Sequence, residues 1–210
     1  QAAIEPQPYV RTGPGTGADG RPKFDFSQLN QAYFDTLRSQ VIAARDRGIY
    51  VSVMLFDGWG ISEYRSAPHN TTWNYHPFNA ANNINGINGD PNNDSIGLEY
   101  HTLQIAAIKS LQETYVRKVA DTVNDLDNVL YEICNESGNY STAWQYHLIS
   151  FIKSYEATKS KKHPVEWFDI TIEKAKAGEA VKGGGVLEFT PPSDGPVVLH
   201  LKAKVRGQVH

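Results

Sequence analysis

Gly48-Ile49-Tyr50-Val51-Ser52-Val53-Met54-Leu55-Phe56-Asp57-Gly58-Trp59 is the stretch on which the fold turns. From Ile49 to Phe56 it is nearly continuous in apolar and β-branched residues, the pattern of a strand covered on both faces in a parallel sheet. Immediately upstream, Tyr33, Phe34, Leu37, Val41, Ile42 and Ala44 recur at helical spacing, with Asn30 placed to cap the start and Gly48 to stop the end. The same helix-then-strand unit returns downstream. Glu99 to Leu126 carries Leu103, Ile105, Ile108, Leu111, Tyr115, Val119 and Val123 at helical spacing, and Val129 to Cys134 reads as a second buried strand. Ser141 then opens a helix in which Trp144, His147, Leu148, Phe151, Ile152 and Tyr155 mark one face to about Thr158.

Working outward, Pro8-Tyr9-Val10 reads as the end of a short strand, and Arg11 to Pro22, interrupted by Gly13, Pro14, Gly15, Gly17 and Gly20, reads as a loop. The resulting order is strand, loop, helix, strand, long loop, helix, strand, helix. Alternation of this kind implies an α/β sheet, either a (β/α)₈ barrel or a doubly wound sheet. Both collect their chemistry at the carboxyl ends of the strands, which here means Asp57 to Trp59 and Asn135-Glu136. The long segment Asp57 to Leu98 holds Trp59, Tyr64, Trp73, Tyr75 and Phe78, and these aromatics argue against disorder. After Pro164 the pattern changes to strand-like runs at Val165–Ile170, Val186–Thr190 and Val197–Val205, separated by Gly- and Pro-rich turns. Three such runs fall short of the roughly seven strands of a sandwich, so 165–210 reads as the end of a β domain joined to an α/β region over 1–164.

Composition narrows the function classes. Across 210 residues, Lys+Arg 20 against Asp+Glu 23 gives a net charge of -3, with no global basic field to recruit nucleic acid or an anionic membrane. No apolar run approaches the roughly 18 residues of a membrane span. One Cys permits no internal disulfide and no Cys-rich zinc site, and the seven histidines show no metal-ligand spacing. Gly13-Pro14-Gly15-Thr16-Gly17 lacks the Lys and helix start of a phosphate loop, so no cofactor is expected. Asp90-Pro91-Asn92-Asn93-Asp94 offers oxygens at alternate positions, as in a calcium loop. Ser95 stands where the turn glycine belongs and His101 where the bidentate Glu belongs, so it is not an EF-hand and reads as a solvated Asx-rich turn, with a non-EF calcium site as the alternative.

Tyr131-Glu132-Ile133-Cys134-Asn135-Glu136, an apolar strand ending in Asn-Glu, resembles the fourth-strand signature of cellulase-like (β/α)₈ glycoside hydrolases of clan A. The flanking text is similar to a bacterial family of such hydrolases with a C-terminal β domain described as collagen-binding. Its stretches here are Tyr9-Val10-Arg11-Thr12-Gly13-Pro14-Gly15, Gly48 to Trp59, His76-Pro77-Phe78-Asn79 and Leu126 to Glu132. The resemblance implies a partial TIM barrel, about strands two to four, followed by the end of a β-sandwich. It also implies a poly- or oligosaccharide substrate and an extracellular or periplasmic location.

Glycoside hydrolysis uses two carboxyl groups, one protonating the leaving oxygen and one acting as nucleophile or as base for water. By resemblance Glu136 is the acid/base, and partial burial past an apolar strand would keep it protonated. Asn135 matches the residue that hydrogen-bonds the sugar 2-hydroxyl. Trp59, Trp73 and Tyr75 are candidate stacking platforms, although aromatic rings in a loop more often form a packed mini-core that pins it. Asp57 either hydrogen-bonds sugar hydroxyls or caps the following turn, and His76 either reaches the site or is structural. Glu132, inside the strand, reads as a structural polar group.

A full barrel runs to about 250 residues, whereas this pattern supplies about three strand-helix units before the β segment. Strands five to eight, and the late carboxylate that serves as nucleophile, have no counterpart, and the first strand is expected ahead of Gln1. Three readings follow: a glycoside hydrolase impaired by the missing carboxylate, a carbohydrate-binding remnant that holds glycan without cutting it, and a non-functional product of internal deletion.

Overall fold

The computed structural model describes residues 5–58, 61 and 72–161. The chain divides into two compact units, 1–162 and 163–210, and everything described belongs to the first. The strands expected between 165 and 205 lie outside the described residues.

The helical spacing around Tyr33 produces α1 (Gln31–Arg45). Asn30 caps it, its side chain accepting from the Ala32 amide, while Phe34 and Val41 are fully buried. β3 (Val51–Asp57) and β4 (Val129–Asn135) pair in parallel, in register from Val51 opposite Val129 to Asp57 opposite Asn135. Between them the chain passes through a one-turn helix α2 (Thr72–Tyr75) and then α3 (Ala106–Val123). After β4 it continues into α4 (Thr142–Glu156). Ser141 stands at the head of α4, but its hydroxyl donates back to the Gly138 carbonyl at 2.6 Å and does not cap the helix amides.

The helices lean on one another through polar bridges at the margins of an apolar core. The Tyr33 and Tyr115 hydroxyls meet at 3.0 Å, joining α1 to α3. The Trp144 indole N–H donates to Gln112 Oε1 at 2.9 Å, and Gln112 in turn donates to the Tyr100 carbonyl at 2.8 Å. Gln112 is buried, and both ends of its amide are satisfied, as a polar group in an apolar layer requires.

The (β/α)₈ expectation fails on strand pairing. Among the described residues the strands form two separate two-stranded sheets, so the fold they show is a small mixed α/β arrangement with four helices and no TIM barrel. β1 (Tyr9–Thr16) does not lie beside β3. It folds back as a hairpin with β2 (Pro22–Leu29), antiparallel, with irregular register between Tyr9 and Val10 and between Arg11 and Thr16. The stretch read as a glycine-rich loop is therefore largely strand. Side chains hold it there: Asp19 receives Arg11 at 2.6 Å and the Arg21 amide at 3.1 Å, and the Ala18 amide donates to Asn82 Oδ1 at 2.8 Å. Phe24 and Phe26 of β2 enter the core.

The expectation that the Ile49–Phe56 strand is covered on both faces is also corrected. Val53 and Leu55 are buried while Ser52 and Met54 are exposed, the alternation of a strand with one packed face, and it breaks only at Phe56, buried next to Leu55. The helix expected from Glu99 begins only at Ala106, because Leu98–His101 forms a 3₁₀ turn ahead of it.

Ahead of α3, the described stretch 72–105 is held together by its asparagines. Asn83 donates to the carbonyls of Pro77, Asn79 and Ile87 and accepts from the Ile87 amide at 2.9 Å. Asn82 donates to the Asn74 and His76 carbonyls, and Asn85 Oδ1 receives the Phe26 amide at 2.8 Å. Each asparagine satisfies backbone groups that a sheet would otherwise have paired.

Candidate functional site

The register of the parallel pair brings the two expected strand ends together. Asp57 and Asn135 are direct partners across β3 and β4, and Asn135 Nδ2 donates to Asp57 Oδ1 at 3.3 Å. The Gly58 amide donates to the Asn135 carbonyl at 2.7 Å, extending the ladder one residue past the strands. A side chain at position 58 could not fit. A Cβ there would lie 2.7 Å from the Glu136 carbonyl oxygen and 2.9 Å from Ser137 Cα, both backbone atoms that cannot swing aside. Glycine after the strand is thus a condition of the close approach of the two turns.

Glu136 takes φ 48°, the left-handed region that costs a non-glycine residue of order 1 kcal/mol. Its side chain is exposed. The burial expected to keep Glu136 protonated is therefore absent, since the chain turns outward at the residue after β4. Asp57 is exposed and Asn135 half-buried.

Beneath this polar rim the turn rests on buried groups. Ser137 Oγ lies 3.4 Å from His101 Nδ1, and Cys134 Sγ lies 4.0 Å from the same nitrogen. His101 is fully buried and stacks on Trp144 with centroids 4.4 Å apart. Burial lowers its pKa to about 3, helped by the neighbouring His76, so the ring is neutral at neutral pH. Burial likewise pushes the Cys134 thiol up to about 12, which makes it a poor nucleophile.

The other expected site residues separate. Trp73 is 1% exposed and offers no face to a sugar. The platform reading of Trp73 is corrected because the chain wraps it: a Cβ on Gly97 would fall 2.4 Å from its ring, and one on Gly89 2.8 Å. Tyr75, two residues on, is 54% exposed and keeps the platform role open. Trp59 lies outside the described residues. His76 stacks on Trp73 at 4.8 Å, meets Tyr100 edge-on at 4.6 Å and accepts the Phe78 amide at Nδ1, a structural arrangement. Burial lowers its pKa to about 3. Through Tyr100 and His101 it belongs to one aromatic column, Trp73–His76–Tyr100–His101–Trp144, that runs to the underside of the strand end. Glu132, within β4, meets Ser52 of β3 at 3.4 Å.

Sequence singles out neither His101 nor Ser137 for this site, and gives Gly58 only as a neighbour of Asp57. The signals that point to them are the glycine directly after an apolar strand and a histidine between Tyr100 and a helix start.

No group of three or more His, Cys, Asp or Glu side chains among the described residues is placed to hold a metal ion. The Asp90–Asp94 turn turns its oxygens inward. Asp90 accepts the Asp94 and Ser95 amides, Asn92 the Asp94 amide and Asp94 the Ile96 amide. Glu99 beside it is raised above the usual carboxylate range by burial and by the Asp94 and Asp90 charges. Among the described residues, no helix is long and apolar enough to cross a membrane.

No curated protein matches the chain, and no solved structure does. A family model described as a domain of unknown function, DUF6298, matches residues 3–171, and the chain belongs to that family.

Proposed function

We propose that the carboxyl end of the β3–β4 pair is a glycan-contacting site of glycoside hydrolase type. In this reading Asn135 and Asp57 hydrogen-bond sugar hydroxyls, Tyr75 offers an exposed ring, and Glu136 is the acid/base group toward a glycosidic oxygen. The observation that carries it is the direct pairing of Asp57 with Asn135, which sets an amide and a carboxylate side by side next to an exposed glutamate. Ligands of open α/β sheets collect at this end of the strands. An acid/base glutamate works as a unit with a second carboxylate, so little sugar release is expected from Glu136 alone. The exposure of Glu136 favours the reading in which glycan is held and not cut.

Affinity electrophoresis of the full chain through a panel of polysaccharides, run with a reducing-sugar assay on the same panel, tests both. The expected result is retardation on at least one glycan, weakened by Asn135→Ala and Tyr75→Ala, with reducing sugar near background. Release abolished by Glu136→Gln would establish hydrolysis in place of binding. A chain that neither slows on any glycan nor releases sugar removes the proposal.

A further inference from the structure

Glu136 holds a backbone conformation that a glutamate does not choose for itself, and something beneath it must keep it there. On the β3 side the turn is tied by the Gly58 amide to the Asn135 carbonyl. On the other side the residue after Glu136 reaches inward, Ser137 Oγ to His101 Nδ1. His101 itself cannot shift easily. It is 0% exposed and clasped between Tyr100, Phe56 and Trp144, with ring centroids 4.8, 6.2 and 4.4 Å away. Its Nε2 has no hydrogen-bond partner among the described residues. A neutral imidazole with its proton on Nδ1 directs that N–H at the Ser137 hydroxyl and leaves only a lone pair unmatched at Nε2. The opposite tautomer would bury an N–H donor with nothing to receive it, the costlier arrangement. The orphaned nitrogen thus favours one tautomer and, with it, one direction for the bond to Ser137.

From this geometry we infer that His101 is a positioning residue for Glu136: acting through the Ser137 hydroxyl, it holds the turn after β4 in the conformation that presents the Glu136 carboxylate beside Asn135 and Asp57. The inference deepens the glycan-site reading and rests on it for its biological meaning, but the conformational claim stands on the turn alone. His101 touches no substrate in this scheme. Its effect passes through one side chain and one backbone dihedral angle.

The test is NMR on the full chain, reading the three-bond amide–Hα coupling and the Cα and Cβ shifts of Glu136, which report its φ. Ser137→Ala removes the hydroxyl and leaves the buried stack untouched. His101→Phe keeps a ring in the stack and removes the nitrogen. Ser137→Thr restores a hydroxyl. In both Ser137→Ala and His101→Phe the coupling should rise toward the extended value, while Ser137→Thr stays near wild type. Left-handed Glu136 surviving in Ser137→Ala overturns the inference, even should His101→Phe fail to fold. A Ser137→Thr variant that behaves like Ser137→Ala overturns it too. In the wild type, long-range ¹⁵N–¹H correlation should find the His101 proton on Nδ1, and a proton on Nε2 counts against the scheme. Glycan retardation of the same variants separates the two claims. A wild-type chain that binds no glycan removes the site reading, and the Glu136 coupling still decides the role of His101.

Discussion

The asparagine-rich segment and the end of the β3–β4 pair are built from similar polar residues and treat them in opposite ways. In the first, Asn82 and Asn83 are buried and saturated, their amides spent on backbone groups of the hairpin and of their own loop. In the second, Asp57 and Glu136 are exposed, Glu136 is held at positive φ, and the histidine below has one nitrogen without a partner. Polar groups that serve the fold are satisfied. Those that break local preference without an evident structural return are where function is expected to sit.

The severest way to break this contrast is Trp73→Ala. Trp73 is enclosed by Gly97, Gly89 and His76, so truncation leaves a large cavity and should lower stability by about 3–5 kcal/mol. Urea unfolding followed by circular dichroism measures it. A variant that kept its urea midpoint yet lost glycan retardation would restore Trp73 to the site and erase the distinction between the regions.

Acid is the next largest perturbation, because the aromatic column joins the two regions and contains both depressed histidines. His76 and His101 fall from 6.5 to about 3 when the chain folds, since burial penalises the imidazolium. The unfolded chain therefore takes up protons first as the pH drops. The stability tied to these rings is complete above about pH 6.5 and is lost progressively between there and about pH 3. Within that window the slope should approach about 1.4 kcal/mol per pH unit for each ring. Urea midpoints at pH 7, 6 and 5 give the profile, and a His76→Phe/His101→Phe chain should flatten it. A flat wild-type profile would mean that the column is open to water.

Asn83→Ala probes the saturated region directly. Removing the amide strands the Ile87 amide and three carbonyls in a buried setting, and the cost should be about 2 kcal/mol in the same unfolding experiment.

Why one region was legible in sequence and the other was not follows from the range of the forces involved. α1, with its Asn30 cap, and the cores of β3, β4 and α4 rest on periodicity and end signals that lie within one stretch of chain. The places of Asp57 and Asn135 at strand ends followed from these signals, though their pairing with each other did not. The hairpin did not, because Asn82 and Asn85 brace it, at the Ala18 and Phe26 amides, from some 60 residues away. Helix-strand alternation suggested a barrel, but alternation does not specify neighbours. β1 found its partner in β2, a strand in Pro22–Leu29, where Phe24 and Phe26 alternate with Lys23, Asp25 and Ser27, a period-2 signal too short to stand out beside the Gly- and Pro-rich stretch before it. His101 was invisible for a related reason: its partners Ser137 and Trp144 are more than 30 residues downstream.

The smallest effect on stability is the most informative one. Asn135→Ala removes a single long hydrogen bond to an exposed carboxylate, and the backbone link from the Gly58 amide to the residue 135 carbonyl survives the substitution. Unfolding should therefore move by no more than about 0.5 kcal/mol. If the strand end serves binding, glycan retardation should fall all the same, because the amide that faces the ligand is gone. Asn83→Ala should show the reverse, a large loss of stability with retardation intact at temperatures where the chain stays folded. Two asparagines, one chemistry and opposite outcomes would sharpen the contrast between the regions. Parallel losses in both variants would mean that the polar strand end is another structural network, and that the protein's working surface lies elsewhere.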